Sequence, residues 1–353
     1  MRVLFLTYPR FGLGKGGFQV QVNRTIEELT TLGIDVVRFD PWSNQLPGVD
    51  LVHVFSLEGT LVYHVRHASL HGVPVVTSPV FNVFSQSRLS TTLKVRTLSR
   101  IPGMFVDYRH AREVLNASTA VIALNEQERG TLRSAFALPD EKLHIVPNGI
   151  DERFFDASPA LFHEKHSFRG FVLQVGSIEP RKNQLTTIRA VRDEPFELVL
   201  IGGVQPGHQG YYEECRRAAG PNVHFLGHIN YDDPLLPSAF AAAAAFVLPS
   251  FSEVQPLTLY EASAAGCTLV VSSRVPISNE LRDRVTTVPP SRVSSLRSAL
   301  RRAVREGETA RRAPTGLLTW REVARRLIRR YEQCLSTRPS ARMPRFHDVR
   351  TRQ

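Results

Sequence analysis

Two glutamates, Glu253 and Glu261, stand eight positions apart in PSFSEVQPLTLYEASAAGCTLVVSS (249–273), with a proline and an apolar run between them. Pro256 suits the first position of a helix, where its missing N–H is not needed. Gly266 suits the end. Glu253 then lies in the loop before the helix. Glu261 lies inside it, roughly 8 Å from its start at ~1.5 Å of rise per residue. The free N–H groups of Leu257, Thr258 and Leu259 can face an anion ahead of that helix. The segment therefore offers a carboxylate for hydroxyls, a helix start for phosphate, and a second carboxylate for another pair of hydroxyls. A sugar, a diphosphate and a ribose would satisfy all three. Two glutamates at this spacing are by themselves ordinary surface charges, and the rest of the chain has to decide.

GSIEPRKNQ (176–184) places Arg181 and Lys182 between a strand and a helix. Two cations there would hold a diphosphate and stabilise it as a leaving group; the plainer reading is a charged turn. GLGKGG (12–17) follows the first strand. It has neither the Rossmann G-x-G-x-x-G register nor a Walker lysine, and a tight turn without ligand would explain it. Gly16 and Gly17 would nevertheless let backbone approach a ligand closely. The chain shows no Cys/His metal cluster, no nucleophile elbow and no aromatic-interleaved RNA-binding pattern.

The elements that must position these residues alternate along the chain. RVLFLTY is an apolar strand, FQVQVNRTIEELTTLG a helix ending at Gly33, and DVVRFD and DLVHVFS are strands. A helix near 59–71, strand PVVTSP, a mostly helical stretch 85–116 broken at Pro102–Gly103, strand TAVIALN, helix EQERGTLRSAF and strand KLHIVPNGID complete one half. The polar stretch 156–170 reads as a linker. The alternation then restarts with FVLQVGS, a helix from 182, FELVLIGG, NVHFLGH, AAFVLPS, the helix holding Glu261, and TLVVSS, closed by SSLRSALRRAVRE and WREVARRLIRRYEQCL. Near-continuous apolar strands alternating with helices indicate parallel sheets covered on both faces. Two such halves predict an α/β fold of two facing doubly wound domains, with ligands at the carboxyl ends of the strands.

The 353 residues suit two domains. The three cysteines, Cys215, Cys267 and Cys334, argue against a disulfide framework and suit a reducing, cytoplasmic compartment. MRVLFLTYPRFG reads as a first strand, not a signal peptide. The longest apolar run, AFAAAAAFVL (239–248), is too short to span a membrane. From Arg297 onward there are 16 arginines and five acids, which is the whole net charge of +11. A solvated helix face plus a disordered basic tail would account for this, as would attraction to an anionic surface, membrane or nucleic acid. RLSTTLKVRTLSRIPG (88–103) mixes leucines with basic residues and reads as a partly buried helix or a surface that meets lipid headgroups. His53, inside a strand, reads as structural.

Taken in order, GKGG, IVPNGID, VGSIEPRKNQL, NVHFLGHI, the E-x7-E segment and a late TW…Y helix resemble the GT-B glycosyltransferases of family 4 over about residues 1–335. The resemblance implies two facing Rossmann-like domains: residues 1–165 on the acceptor side, 166–318 on the nucleotide-sugar side, a helix 319–335 packing back on the first domain, and a disordered basic tail, 336–353. It implies a retaining transferase acting on a nucleotide-diphosphate sugar, without a metal or other cofactor. Glu253 would contact the donor sugar, Glu261 the ribose, and the Gly16–Gly17 loop the phosphates and acceptor. The acceptor would be a glycan or lipid-linked saccharide, with a possible anionic membrane surface as partner and no nucleic acid. Three features depart from the family. Ser177 or Ile178 stands where a basic residue is common, no histidine occurs in 72–84 near Pro79, and EVQP replaces a glycine–aromatic pattern. A sugar-nucleotide epimerase or hydrolase of the same fold, or a non-catalytic basic scaffold or nucleic-acid-binding protein, are the competing readings.

Overall fold

The computed structural model describes residues 1–13, 16–43, 45–81, 88–97, 101, 106–307 and 316–336. The first half builds strands β1 (Arg2–Leu6), β2 (Asp35–Arg38), β3 (Leu51–Phe55), β4 (Val75–Ser78), β5 (Ala120–Ala123) and β6 (Leu143–Ile145). Helices α1 (Gly17–Thr31), α2 (Val62–Leu70), α3 (Arg88–Arg96), α4 (Val106–Ala117) and α5 (Glu126–Phe136) alternate with them. All pairings are parallel, in the order β2-β1-β3-β4-β5-β6.

The second half, after a short α6 (Ala160–Lys165), repeats the plan with β7 (Val172–Val175), β8 (Leu198–Ile201), β9 (Val223–Gly227), β10 (Ala245–Leu248), β11 (Thr268–Ser272) and β12 (Val285–Val288). Its helices are α7 (Gln184–Val191), α8 (Gln209–Ala218), α9 (Leu235–Ala242), α10 (Leu257–Ala264) and α11 (Val293–Gly307), followed by a last helix α12 (Trp320–Ser336). The sheet order is β12-β11-β10-β7-β8-β9, again parallel.

Strand alternation sorts the first sheet's side chains. Val3 and Phe5 pack under α1 and α12, while Leu4 and Leu6 pack under α2 and α4 on the other face. The fold class is the one the apolar pattern required. The stretch 156–170 is not a free linker: Phe162 of α6 is fully buried and stacks on Phe171, ring centroids 5.2 Å apart. Ile150 and Phe154 already belong to the same second-half core as Phe162. The polar residues around Phe162 hid a short amphipathic helix. The expected basic tail lies outside the described residues, apart from Ser336, the last residue of α12.

Helix α12 lays Trp320, Val323, Leu327 and Tyr331 against the first half's core. Tyr331 is fixed there by chemistry as well as packing. Its hydroxyl lies 2.6 Å from His53 Nδ1, and His53 Nε2 lies 2.9 Å from Ser78 Oγ. Burial pushes His53 down to about 3, so the ring is neutral when folded. The unfolded chain takes this proton near the ordinary value of ~6.5, before the folded chain does. Stability is therefore unaffected by His53 above that value and falls as pH drops from it toward about 3. Urea titrations at steps from pH 7 to 4 should show this loss, and a His53→Gln variant should show a shallower acid slope. An equal slope in both proteins would exclude His53 as its source.

The junction between the halves is a close backbone crossing. Ile150 N donates to Leu318 O at 2.8 Å and Trp320 N donates to Ile150 O at 3.3 Å. A Cβ on Gly149 would stand 2.5 Å from both Trp320 Cα and Trp320 N. Glycine is the residue that permits this contact.

Candidate functional site

The two carboxyl-end loops of the second sheet are tied together before any side chain reaches the cleft. After β7, Pro180–Lys182 form one tight turn, and Asn183 adopts a left-handed conformation at φ 59°. Asn183 Nδ2 donates to Pro249 O at 3.0 Å and to Pro290 O at 2.7 Å. Phe251 N donates to Arg181 O at 2.9 Å, and Gln174 Nε2 to Lys182 O at 3.0 Å. These bonds hold the 177–183 loop against the 249–253 loop.

That register brings Arg181, Lys182 and Glu253 together. Lys182 Nζ lies 2.6 Å from Glu253 Oε1, and Arg181 Nη1 lies 3.1 Å from Glu253 Oε2. Arg181 also reaches Glu179 Oε1 at 2.6 Å and Ser252 O at 3.0 Å. The Glu253 side chain is only 9% exposed. Burial by itself would raise its pKa, but the Lys182 and Arg181 charges outweigh it, and the carboxyl sits below its ordinary value. Ser177, one of the two residues where the resemblance leads one to expect a cation, donates instead to Glu179 Oε1 at 3.0 Å. The cationic cluster is thus this Arg–Lys pair, held by two carboxylates.

Helix α10 starts beside that cluster. Pro256 is extended (φ −73°, ψ 114°) and caps the helix rather than forming its first turn, a one-residue correction to the sequence reading. Leu257 and Thr258 are then the first helical residues, whose N–H groups have no intrahelical acceptor. Thr258 Oγ1 is buried without a hydrogen-bond partner.

The same segment is held from the opposite half. Asn125 Nδ2 donates to Val254 O at 2.7 Å, and Asn148 N donates to Gln255 Oε1 at 2.7 Å. Gly16 precedes α1, and a Cβ on Gly17 would lie 3.6 Å from Leu257 Cδ1. Leu257 itself belongs to the first half's core. The glycine loop and the α10 start therefore face each other directly. Gly14 and Lys15 of the same motif lie outside the described residues.

Glu261 is placed differently. It is 3% exposed, and burial pushes its carboxyl up to about 8, with Tyr231 and Arg153 offsetting part of that rise and Asp151 adding to it. Burial thus favours its protonated form. Arg153 and Arg24 lie over the Tyr231 ring at 4.9 and 5.1 Å, and Arg24 of α1 is ion-paired with Asp232 and, at 3.4 Å, with Asp151. Its carboxyl is buried beside Tyr231, Arg153 and Asp151.

The first half has its own crevice, between β1 and β3, where the strand order reverses. Arg10 Nη2 lies 3.5 Å from Glu58 Oε1, while Glu58 Oε2 is buried without a partner. The His110 imidazole packs on Gly59, where a Cβ would come within 2.4 Å of its Nδ1. Val80, next to the position of the absent histidine, has φ 46°, unusual for a β-branched residue. Phe81 N donates to Glu128 Oε1 at 2.6 Å.

Sequence reasoning missed Arg10, Glu58, His110, Arg24 and Arg153. The Asn125 contact had a readable signal: Asn125 and Glu128 form a helix-start box, with Glu128 N donating to Asn125 Oδ1 at 2.9 Å. In 88–103, Leu89 and Leu93 of α3 are exposed, while Val95 is buried; residues 98–100 and 102–103 lie outside the described residues. Arg325, Arg326 and Arg329 of α12 face outward and Arg330 partly so. Among the described residues no group of three or more His, Cys, Asp and Glu could hold a metal ion, and no helix is long and apolar enough to cross a membrane.

Two family models match most of the chain. "Glycosyltransferase Family 4" matches residues 39–154, and "Glycosyl transferases group 1" matches residues 162–315. With two facing parallel sheets and these matches, the chain belongs to the GT-B glycosyltransferases of family 4. It is similar to the O-antigen chain mannosyltransferase B of Escherichia coli, 22% identical over 224 residues, 60% of this chain and 55% of that one. A second Escherichia coli relative is UDP-Gal:alpha-D-GlcNAc-diphosphoundecaprenol alpha-1,3-galactosyltransferase, 25% identical over 243 residues, 64% of this chain and 58% of that one. Each match thus spans little more than half of the curated relative. Sucrose-phosphate synthase of Thermosynechococcus elongatus shares the fold at a TM-score of 0.75, with 18% identity over 95% of this chain and 99% of that one.

Proposed function

We propose that this chain is a retaining glycosyltransferase that moves a sugar from a nucleoside-diphosphate donor to a hydroxyl of a glycan or lipid-linked saccharide. The observation that carries the reading is the Glu253–Lys182–Arg181 cluster at the start of α10, with salt contacts of 2.6 and 3.1 Å. Glu253, kept ionised by its two cations, would accept from donor sugar hydroxyls. Lys182, Arg181 and the N–H groups of Leu257 and Thr258 would take the diphosphate, and the unpartnered Thr258 hydroxyl offers one more donor. In a front-face reaction the bond from the anomeric carbon to the phosphate oxygen breaks and the bond to the acceptor oxygen forms on the same face. The acceptor proton passes to the departing phosphate, whose growing charge the two cations and the helix start stabilise. This needs neither an enzymatic nucleophile nor a metal. Gly16 and Gly17 would close over the phosphates from the first half, where the Arg10–Glu58 crevice would receive the acceptor. The ribose role of Glu261 needs its carboxyl, 3% exposed, to be uncovered.

A nucleotide-sugar donor and a glycan or lipid-linked acceptor agree with the names of the two Escherichia coli relatives. The outward arginines of α12 add a cationic ridge that would favour peripheral docking on an anionic membrane face. The test separates sugar from nucleotide. A thermal-shift panel of nucleotide sugars identifies the donor, and calorimetry then compares that donor with its nucleoside diphosphate. Glu253→Gln should weaken donor binding by roughly 10- to 100-fold, the value of hydrogen bonds to a charged group, while the nucleoside diphosphate binds at least as tightly, because Lys182 and Arg181 lose a competing carboxylate. Equal losses for both would remove Glu253 from sugar recognition. Binding of no nucleotide sugar would overturn the function.

A further inference from the structure

The two halves divide the approach to α10 between consecutive residues. The Glu253 carboxylate is held by its own half, through Lys182 and Arg181. The residues that follow are held by the other. Val254 O accepts from Asn125 Nδ2 at 2.7 Å, Gln255 Oε1 accepts from Asn148 N at 2.7 Å, and the Leu257 side chain is buried among first-half residues. The grip changes hands between Glu253 and Val254. Where the Glu253 carboxylate points therefore depends on both halves at once.

Asn125 uses both ends of its amide. It stands ahead of α5 in extended backbone, and its Oδ1 accepts from Glu128 N at 2.9 Å. Serine caps a helix as well as asparagine does, and threonine nearly so. Only the asparagine amide adds an N–H donor on a second atom, and here that donor goes to Val254 O in the other half. The capped residue is tied in turn. Glu128 is 3% exposed; its Oε1 accepts from Phe81 N and its Oε2 from Leu124 N, both at 2.6 Å. Phe81 follows Val80, whose φ of 46° persists only where the surroundings hold it. A run of hydrogen bonds, none longer than 2.9 Å, thus leads from the loop after β4 through Glu128 and Asn125 to the residue next to Glu253.

We propose that Asn125 is a positioning residue for Glu253: by holding the Val254 carbonyl it aligns the carboxylate with the donor sugar, and through Glu128 it ties that alignment to the loop after β4. The role toward the sugar rests on the transferase reading; the hold on residues 250–258 is measured without any donor. Asn125→Ser and Asn125→Thr keep an oxygen for Glu128 N and remove the amide donor, whereas Asn125→Ala removes both. The two capped variants should melt close to the parent and the alanine variant below it. Hydrogen exchange in the full chain should quicken over 250–258 in both capped variants. For the nucleotide sugar that the thermal-shift panel selects, their kcat/KM should fall about 3- to 10-fold, the value of one hydrogen bond. Nucleoside diphosphate affinity should stay within twofold of the parent. A purely structural cap would move the melting midpoint and leave this contrast between sugar and nucleotide untouched. Because Asn125 acts through Glu253, Asn125→Ser should cost less than twofold more in a Glu253→Gln background. A full additive loss in that background overturns the proposal. So does unchanged exchange over 250–258, a parental kcat/KM in the capped variants, or an equal loss for donor and nucleoside diphosphate. Quickened exchange in variants of a parent that binds no nucleotide sugar sinks the transferase reading alone.

Discussion

Replacing Lys182 by alanine should lower kcat by about 10²- to 10³-fold, the cost of deleting one donor that stabilises transition-state charge. The donor KM should move much less. Lys182 sits 2.6 Å from Glu253 and part of its charge is already neutralised in the resting site. It gains most when the diphosphate departs and negative charge on the phosphate grows, so its contribution belongs to the transition state. Lys182→Arg should recover only part of the rate, because a planar guanidinium does not place a point charge at the same spot. Initial rates over a range of donor concentration decide the matter. A variant whose kcat stays within threefold of the parent while KM rises would make Lys182 a ground-state anchor.

The second large effect concerns folding. Gly149→Ala puts a methyl group 2.5 Å from the Trp320 backbone. The crossing must open, and with it the Ile150–Leu318 and Trp320–Ile150 hydrogen bonds. Overpacking of this kind costs about 1–3 kcal/mol and each backbone bond about 1 kcal/mol. Together these lower the melting midpoint by roughly 5–10 °C. Gly210 in α8 is the control, because a Cβ there meets nothing within 4 Å. Alanine at Gly210 should be neutral or slightly stabilising. Equal midpoints for the two variants would show that the Gly149 crossing has room that the geometry denies.

What could be read from the chain depended on the range of the interaction. The parallel sheets were legible because LVHVF and AFVL carry their burial in consecutive letters. Arg181, Lys182 and Glu253 were legible as types near strand ends. Their mutual contact was not, since it depends on Asn183 binding the carbonyls of Pro249 and Pro290, far along the chain. The burial of Glu261 was hidden for the same reason. Its neighbours Arg153 and Tyr231 lie in other segments, and nothing in E-x7-E says which face of α10 will be covered. The helix at Ala160–Lys165 was missed because a short run of polar residues carries too few apolar positions for a period to show.

Leu257 is the first residue of the helix proposed to bind the diphosphate, yet its side chain is buried in the core of the other half. Any motion that parts the halves must pull this leucine into water. Exposing a buried leucine costs ~1.5–3 kcal/mol, so this one plug shifts the balance toward the shut form by roughly 10- to 100-fold. The molecule rests latched. On the proposed reading nucleotide exchange waits on unlatching, and for a fast chemical step that wait would set the turnover rate. On that same reading, trimming the plug would hasten discharge of the spent nucleotide while loosening the grip on the fresh donor, a trade fixed by one aliphatic side chain that carries no charge itself.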